Sequence, residues 1–306
     1  MAGSNLQPFS LNVAGNPITI VSSSKVLAAG KIYNITRAVP VPFSVSSTKQ
    51  VYFSKGNLQA TYNGTDWTWA FAANQWDYIG NAEGNTKVTN TTPFVSGYSG
   101  TSTTVDLFGW VGASSGFTGA AQYGITSSDT DEDYGNVYGE ALISDWGNTM
   151  GSGWRTLSSA EWTYLFVTRT NAASKFGYAT VAGKVGIIIV PDDFTDPMKN
   201  NSSGAFVGST TTVGWTANVY SAVNWSAMET AGCVFLPAAG NRYENEVSAE
   251  GSQGFYWSSS SLTSDVNVDN IKYAHPVQIR SSFVDPGWGS ARRPTGCSVR
   301  LVRDVE

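Results

Sequence analysis

The sequence predicts an α+β fold dominated by short strands, and three features carry that prediction. With 32 glycines and abundant Ser, Thr and Asn in 306 residues, the chain is rich in turns and long loops rather than in helical repeats. Apolar and polar residues alternate with a period of two in several short stretches. Only two segments carry the start signals of a helix, and no internal repeat is detectable.

Taken in order, Phe9-Ser10-Leu11-Asn12-Val13 and Lys31-Ile32-Tyr33-Asn34-Ile35 read as strands, separated by turn signals at Gly15-Asn16-Pro17 and Ala29-Gly30. They are too few to bury a core alone. Val39-Pro40-Val41-Pro42 then makes a stiff extended connector, which places a boundary near residue 40 and divides the chain into 1–40 and 41–306. Gln50-Val51-Tyr52-Phe53 and Asp66-Trp67-Thr68-Trp69-Ala70-Phe71 follow as strands. Residues 80–105 and 111–150 read as long loops pinned by rings such as Phe108 and Trp110. Helices are expected from Ser158-Ser159-Ala160-Glu161 and from Ser226-Ala227-Met228-Glu229, the second ending at Gly232. In each, the serine can cap the N3 amide while the glutamate reaches back. Buried strands Val185–Val190 and Cys233–Leu236 come after them. Gly254-Phe255-Tyr256-Trp257-Ser258 and Ser298-Val299-Arg300-Leu301-Val302 are strands flanking a polar, irregular segment.

Composition narrows the function classes. Lys and Arg number 18 against 23 Asp and Glu, for a formal charge of −5, which argues against a polyanion-binding surface and hence against nucleic acid as a partner. A hydrophobic fraction of 41%, with 11 Trp, 14 Tyr and 14 Phe, supplies ample core and argues against disorder. The most apolar continuous run, Val185 to Pro191, falls far short of the roughly 20 residues that cross a bilayer, so no membrane span is expected. No charged n-region followed by an apolar h-region stands at the start, which says little about a native precursor. Low charge with many Ser, Thr, Trp and Tyr fits an extracellular β-rich protein.

Several groups suggest chemistry and are weighed against plainer roles. Asp129, Asp131, Asp133 and Glu140 have calcium-loop spacing, but Tyr134 occupies the position of the sharp-turn glycine and the flanks are not helical. A solvated acidic loop is the expectation there, with no metal or other cofactor. Cys233 and Cys297 are read as two free thiols. His275, the one histidine, with Ser281 or Ser282 and Asp285 could sketch a hydrolase triad, but no Gly-x-Ser-x-Gly elbow is present.

Four stretches then appear in a telling order: Trp154-Arg155-Thr156-Leu157-Ser158-Ser159-Ala160-Glu161-Trp162, Ala231-Gly232-Cys233-Val234-Phe235-Leu236-Pro237-Ala238-Ala239-Gly240, Tyr256-Trp257-Ser258-Ser259-Ser260, and Gly296-Cys297-Ser298-Val299-Arg300-Leu301-Val302. Over residues 45–306 they resemble the C-type-lectin-fold domains of Bacteroidetes surface proteins. The Tyr-Trp-Ser-Ser start and the Ser-Val-Arg-Leu-Val-Arg ending further resemble the variable proteins targeted by diversity-generating retroelements. Leu27 to Thr36 is similar to the last strands of fimbrillin-type pilin domains.

The resemblance implies a C-type-lectin-like fold whose first and last strands lie side by side, Val51–Phe53 near Val299–Val302, with Trp257 and Val299 as anchors. It implies a non-enzymatic adhesin at a cell surface, on a pilus tip or a lipoprotein, or alternatively on a phage tail. Its diversified segment, about 258–296, would bind a protein or glycan receptor on another cell or virion host, and pilus subunits would dock through the N-terminal strands. The implied ligand-binding residues are Asp269, Tyr273, His275, Arg280, Ser282, Phe283, Asp285, Trp288, Arg292, Arg293 and Thr295. If diversification runs through Asn-type template codons, Lys272, Gln278 and Trp288 are scaffold or non-Asn-template positions. The sugar-binding calcium signature of animal C-type lectins is absent, so calcium-dependent sugar binding is not implied. A formylglycine-generating-type enzyme or hydrolase, and a ligand-free appendage subunit, stay open as alternatives.

Overall fold

A computed structural model describes residues 9–13, 16–20, 41–81, 83–88, 103–111, 116–130, 134, 145–202, 204–262, 272–287 and 289–305. The chain divides into two units, Met1–Val39 and Pro40–Glu306, at the proline-rich connector the sequence marks. In the first, β1 (Phe9–Val13) and β2 (Asn16–Ile20) form an antiparallel hairpin with Phe9 opposite Ile20 and Val13 opposite Asn16. The strand expected at Lys31–Ile35 lies outside the described residues.

The second unit opens with β3 (Phe43–Ser44), β4 (Gln50–Phe53), β5 (Leu58–Tyr62) and β6 (Trp67–Phe71), then α1 (Glu83–Lys87) and β7 (Thr104–Val105). β8 (Trp154–Thr156) leads into α2 (Ser159–Thr163), followed by β9 (Phe176–Val181), β10 (Lys184–Ile189) and β11 (Asn218–Tyr220). After α3 (Ala222–Thr230) come β12 (Val234–Pro237), β13 (Asn241–Tyr243), β14 (Glu246–Ser248) and β15 (Gln253–Ser261). The described strands end with β16 (Tyr273–Arg280), β17 (Val284–Asp285), β18 (Ala291–Arg292) and β19 (Leu301–Asp304). The result is an α+β fold of small, mostly antiparallel sheets with few helices, and the pair β11 and β9 is parallel.

The sheet β3-β4-β19-β8 joins the two ends of this unit, with Phe53 opposite Val302 and Val51 opposite Asp304. Arg155 on β8 clamps it, reaching Glu161 at 2.8 Å and Asp304 at 2.6 Å. Glu161 is also the third residue of α2. There it accepts from the Ser158 amide at 2.8 Å while the Ser158 hydroxyl accepts from the Glu161 amide, the reciprocal cap its sequence encodes. The chain then passes through a π-helical turn, Tyr164–Thr168, closed by the buried Arg169, which donates to the carbonyls of Leu165, Lys175 and Val190.

The second helix departs from the sequence reading. It begins at Ser221, whose hydroxyl accepts from the Asn224 amide at 3.2 Å, whereas Ser226 lies inside the helix and its carbonyl accepts from the Thr230 hydroxyl. Strand β11 delivers an extended backbone at Ser221, and that geometry selects the cap. Glu229 accepts instead from Gln75. Gly232 does end the helix in the left-handed region, at φ +87°. Two further expectations are corrected: residues 80–105 and 111–150 contain short helical turns and β7 rather than loop alone, and strand β9 precedes the expected Val185–Val190 strand.

Among the described residues, three apolar clusters form the core. One gathers Trp162 and Leu165 of the α2 region with Ile187, Leu236, Tyr256, Val277, Ile279 and Val302. The second holds Leu58, Phe108, Trp110, Trp146, Phe255, Trp257 and Val299, and the third packs Trp225 and Met228 of α3 on Ile188 and Phe235. Each such fully buried side chain contributes about 1.5–3 kcal/mol. The sheet β15-β16-β17 lies between the first two clusters, because Tyr256, Val277 and Ile279 face one and Phe255 and Trp257 the other.

One buried carboxylate shapes the pH response of this core. Asp106 accepts from the Asn85 amide group at 2.8 Å and the Ile79 N–H at 2.7 Å, and its burial outweighs these bonds and that from Gln59, pushing its pKa up to about 6. A raised carboxyl pKa gives stability that is complete below the unfolded value of 3.8 and lost as pH rises through about 6. We predict that chemical denaturation of wild type, referenced to Asp106→Asn, shows stability falling by up to about 3 kcal/mol between pH 4 and pH 7. Parallel curves for the two proteins would refute this assignment.

Candidate functional site

The polar segment after Trp257 is not an irregular loop throughout. Residues Tyr273 to Arg280 form a long strand paired with β15, and the ladder breaks at a bulge between Trp257 and Ser261. Pro276, which lacks an N–H, sits opposite Trp257 where that ladder breaks. The Ser258 hydroxyl fills the irregularity, donating to the His275 carbonyl at 2.6 Å and accepting from the Ser260 amide. The Ser260 hydroxyl in turn accepts from the Ser159 amide at the start of α2.

Indole groups fix this backbone from below. Trp257 Nε1 donates to the Phe108 carbonyl at 2.6 Å, and Trp110 Nε1 donates to the Ser258 carbonyl at 2.9 Å. Main-chain bonds from Trp257 to Ser298 and from Ser298 to Phe255 tie β15 to the stretch before β19. Trp257 and Val299, the expected anchors, are both fully buried. Gln278, read as scaffold, is buried as well.

The candidate residues divide along β16. At one end Tyr273 stands opposite Arg292, and Arg292 donates to the Tyr243 hydroxyl at 2.7 Å with its guanidinium 5.8 Å from that ring. At the other end Arg280 lies 5.2 Å from the Phe283 ring, beside the exposed Ser282. Seven residues of strand put these ends ~23 Å apart. His275 is half-buried between them on the face of Val277, and burial lowers its pKa, so the neutral imidazole is favoured. Asp285 accepts from the Gly287 amide at 3.0 Å, and Thr295 is half-buried. Asp269 and Trp288 lie outside the described residues.

Arg293 is corrected from ligand-binding to core. It is fully buried, its guanidinium stacks 4.7 Å from the Trp110 ring and donates to the Tyr134 carbonyl, and its own carbonyl accepts from the Trp110 amide. The sequence reading also missed Tyr243, which brings an exposed ring to Arg292 from a hairpin 49 residues away. Only the Tyr-Glu-Asn-Glu composition of that turn could have pointed to it.

The triad sketched from sequence is not assembled. His275 alternates onto the Val277 face of β16, whereas Asp285 lies opposite Gln278 and so on the other face, with Ser281 and Ser282 exposed beyond the strand end. Cys233 and Cys297 are free and buried, and burial raises both thiols well above their ordinary value, which disfavours the thiolate. Of the acidic loop, Asp129, Thr130 and the buried Tyr134 are described; Asp131, Asp133 and Glu140 lie outside the described residues. Among the described residues no three His, Cys, Asp or Glu side chains converge as metal ligands, and no helix is long and apolar enough to cross a membrane.

No family model, curated protein or solved structure matches this chain.

The division of roles within one short segment is directly measurable. We predict that Ser282→Ala and Phe283→Ala shift stability by no more than about 1 kcal/mol, whereas Arg293→Ala costs about 3 kcal/mol or more, read by thermal and denaturant melts. Equal losses at Phe283 and Arg293 would remove the distinction between displayed and structural positions.

Proposed function

We propose that residues 41–306 form a C-type-lectin-like scaffold that displays the segment near 258–296 as a ligand-binding surface of a non-enzymatic adhesin. One observation carries this reading. The backbone of β15 and β16 is fastened by buried groups, Trp257, Trp110, Gln278 and Arg293, while Ser281, Ser282 and Phe283 are exposed and Tyr273, His275, Arg280, Asp285 and Arg292 are half-buried. A surface whose backbone does not depend on its displayed side chains can vary without unfolding. The side-by-side pairing of β4 with β19 supports the lectin-like part of the reading, since closure of the unit at its ends is what the resemblance implies.

Aromatic and arginine side chains in this segment suit recognition of a protein or glycan receptor, because they give large contact area and planar donors at small entropic cost. The proposed setting is extracellular, on a cell-surface appendage or a phage tail, with the N-terminal hairpin unit as the attachment side.

The test is sequencing of the coding locus across a population of one strain. Substitutions are expected to cluster within 258–296, at positions such as Tyr273, His275, Arg280, Ser282, Phe283, Asp285 and Arg292, and to spare Trp257, Gln278 and Arg293. Changes spread evenly over the chain, or striking Gln278 and Arg293 as often as Ser282, would contradict the proposal.

A further inference from the structure

We infer that Arg280, at the tip of the β16–β17 hairpin, is a preorganised anchor for a carboxylate, and that the carboxylate belongs to an acidic side chain of a protein partner. The inference deepens the binding-surface reading and rests on it.

Arg280 ends β16, and its N–H donates to the Phe283 carbonyl at 2.9 Å, closing a tight turn with Ser281 and Ser282 at its exposed tip. Two neighbours then immobilise the side chain. The Phe283 ring lies 5.2 Å from the guanidinium, and the Gln278 amide, with its oxygen toward Arg280, accepts from Nε at 3.0 Å and Nη2 at 2.8 Å. Gln253 stands opposite Arg280 in the ladder. Gln278 is 1% exposed, so this row of side chains is held by the packed sheet.

Among the described residues, none forms an ion pair with Arg280. The ion pairs among the described residues join Arg155 to Glu161 and Asp304, and Arg169 and Lys175 to Asp192. Asp285, on the partner strand of the hairpin, sits opposite Gln278 and spends its Oδ1 on the Gly287 amide. Nη1 of Arg280 is thus uncommitted among the described residues, on a side chain whose ordering cost is met before binding. Over 272–292 the formal charges are Lys272, Arg280 and Arg292 against Asp285, a basic stretch in a chain of net charge −5. Charge complementarity therefore calls for an acidic partner.

The chemistry of the anchor selects among anions. A planar guanidinium matches a planar carboxylate in two parallel bonds. Phosphate and sulfate sites gather several N–H or cationic donors, whereas a single guanidinium beside a 39% exposed Phe283 ring suits a carboxylate carried on an apolar stem. Saccharides are held in concave sites with polar groups for their hydroxyls. This tip is a projecting turn with an apolar ring, which enters a partner's recess in the manner of a protein hot spot.

The test uses the full chain labelled with 15N, titrated with acetyl-Glu-Glu-Glu-amide, the corresponding Gln peptide and trigalacturonate, following the Arg280 Nε–Hε and Gln278 side-chain amide signals. Saturable shifts with the Glu peptide alone, weakened roughly tenfold in Arg280→Lys, are expected. Phe283→Leu, which keeps the charge and loses the ring, is expected to weaken the response as well. Silence at Arg280, or equal affinity in Arg280→Lys, overturns the inference. So does an Arg280 response to trigalacturonate at lower concentration than to the Glu peptide, which would make the source a saccharide. Shifts confined to Tyr273, His275 and Arg292 would overturn this anchor and leave the binding surface standing.

Discussion

The architecture depends on the need to satisfy buried guanidinium groups. Arg242, Arg293 and Arg300 are fully buried, a placement that is prohibitive unless hydrogen bonds replace the lost water. Among the described residues, backbone carbonyls of loops and of one strand accept from them. Arg242 donates to Thr126, Glu244 and Leu107, Arg300 to Ser54 and Phe235, and Arg293 to Tyr134. Loop carbonyls buried away from water carry the reciprocal need for donors. Arg242 and Arg293 thus fix irregular connections that have no ladder of their own, and Arg300 ties the link after β4 to β12. Burial lowers the pKa of Arg300 to about 10, which still leaves the group charged at neutral pH.

From that constraint follows the separation of scaffold and surface. Arg293 and Arg242 hold the loops through Leu107, Thr126 and Tyr134, and those loops present the Phe108 carbonyl and the Trp110 indole to β15. β15 carries β16, and β16 carries the displayed side chains. In the proposed function this matters because a surface changed by substitution keeps its shape only if its backbone is held elsewhere.

Local chemistry was legible in the sequence and tertiary choice was not. The Ser158 and Glu161 cap, the Gly232 stop and the aromatic strand Trp67–Phe71 depend on neighbours in sequence, and all form where their patterns place them. Ser226 with Glu229 carried the same cap pattern, yet Ser221 won because β11 delivers the chain there. The segment after Trp257 read as irregular, and its strand accommodates Pro276 because the bulge at Trp257 to Ser261 sits opposite it. Arg292 and Arg293 are indistinguishable as neighbours in sequence, while one meets Tyr243 and the other stacks on Trp110. Those partners lie far off in the chain, and no periodicity in so short a strand announces which side faces in.

The most direct measurement of the central claim, that the displayed side chains do not hold the backbone that displays them, is hydrogen–deuterium exchange over Tyr273–Arg280. It compares wild type with a variant in which Ser281, Ser282, Phe283 and Thr295 are all alanine. The account predicts equal protection of these amides in the two proteins, since their fastenings run through Trp257, Trp110 and Ser258. Loss of protection along β16 in the variant would contradict it, because the exposed residues would then be part of what holds the strand in place.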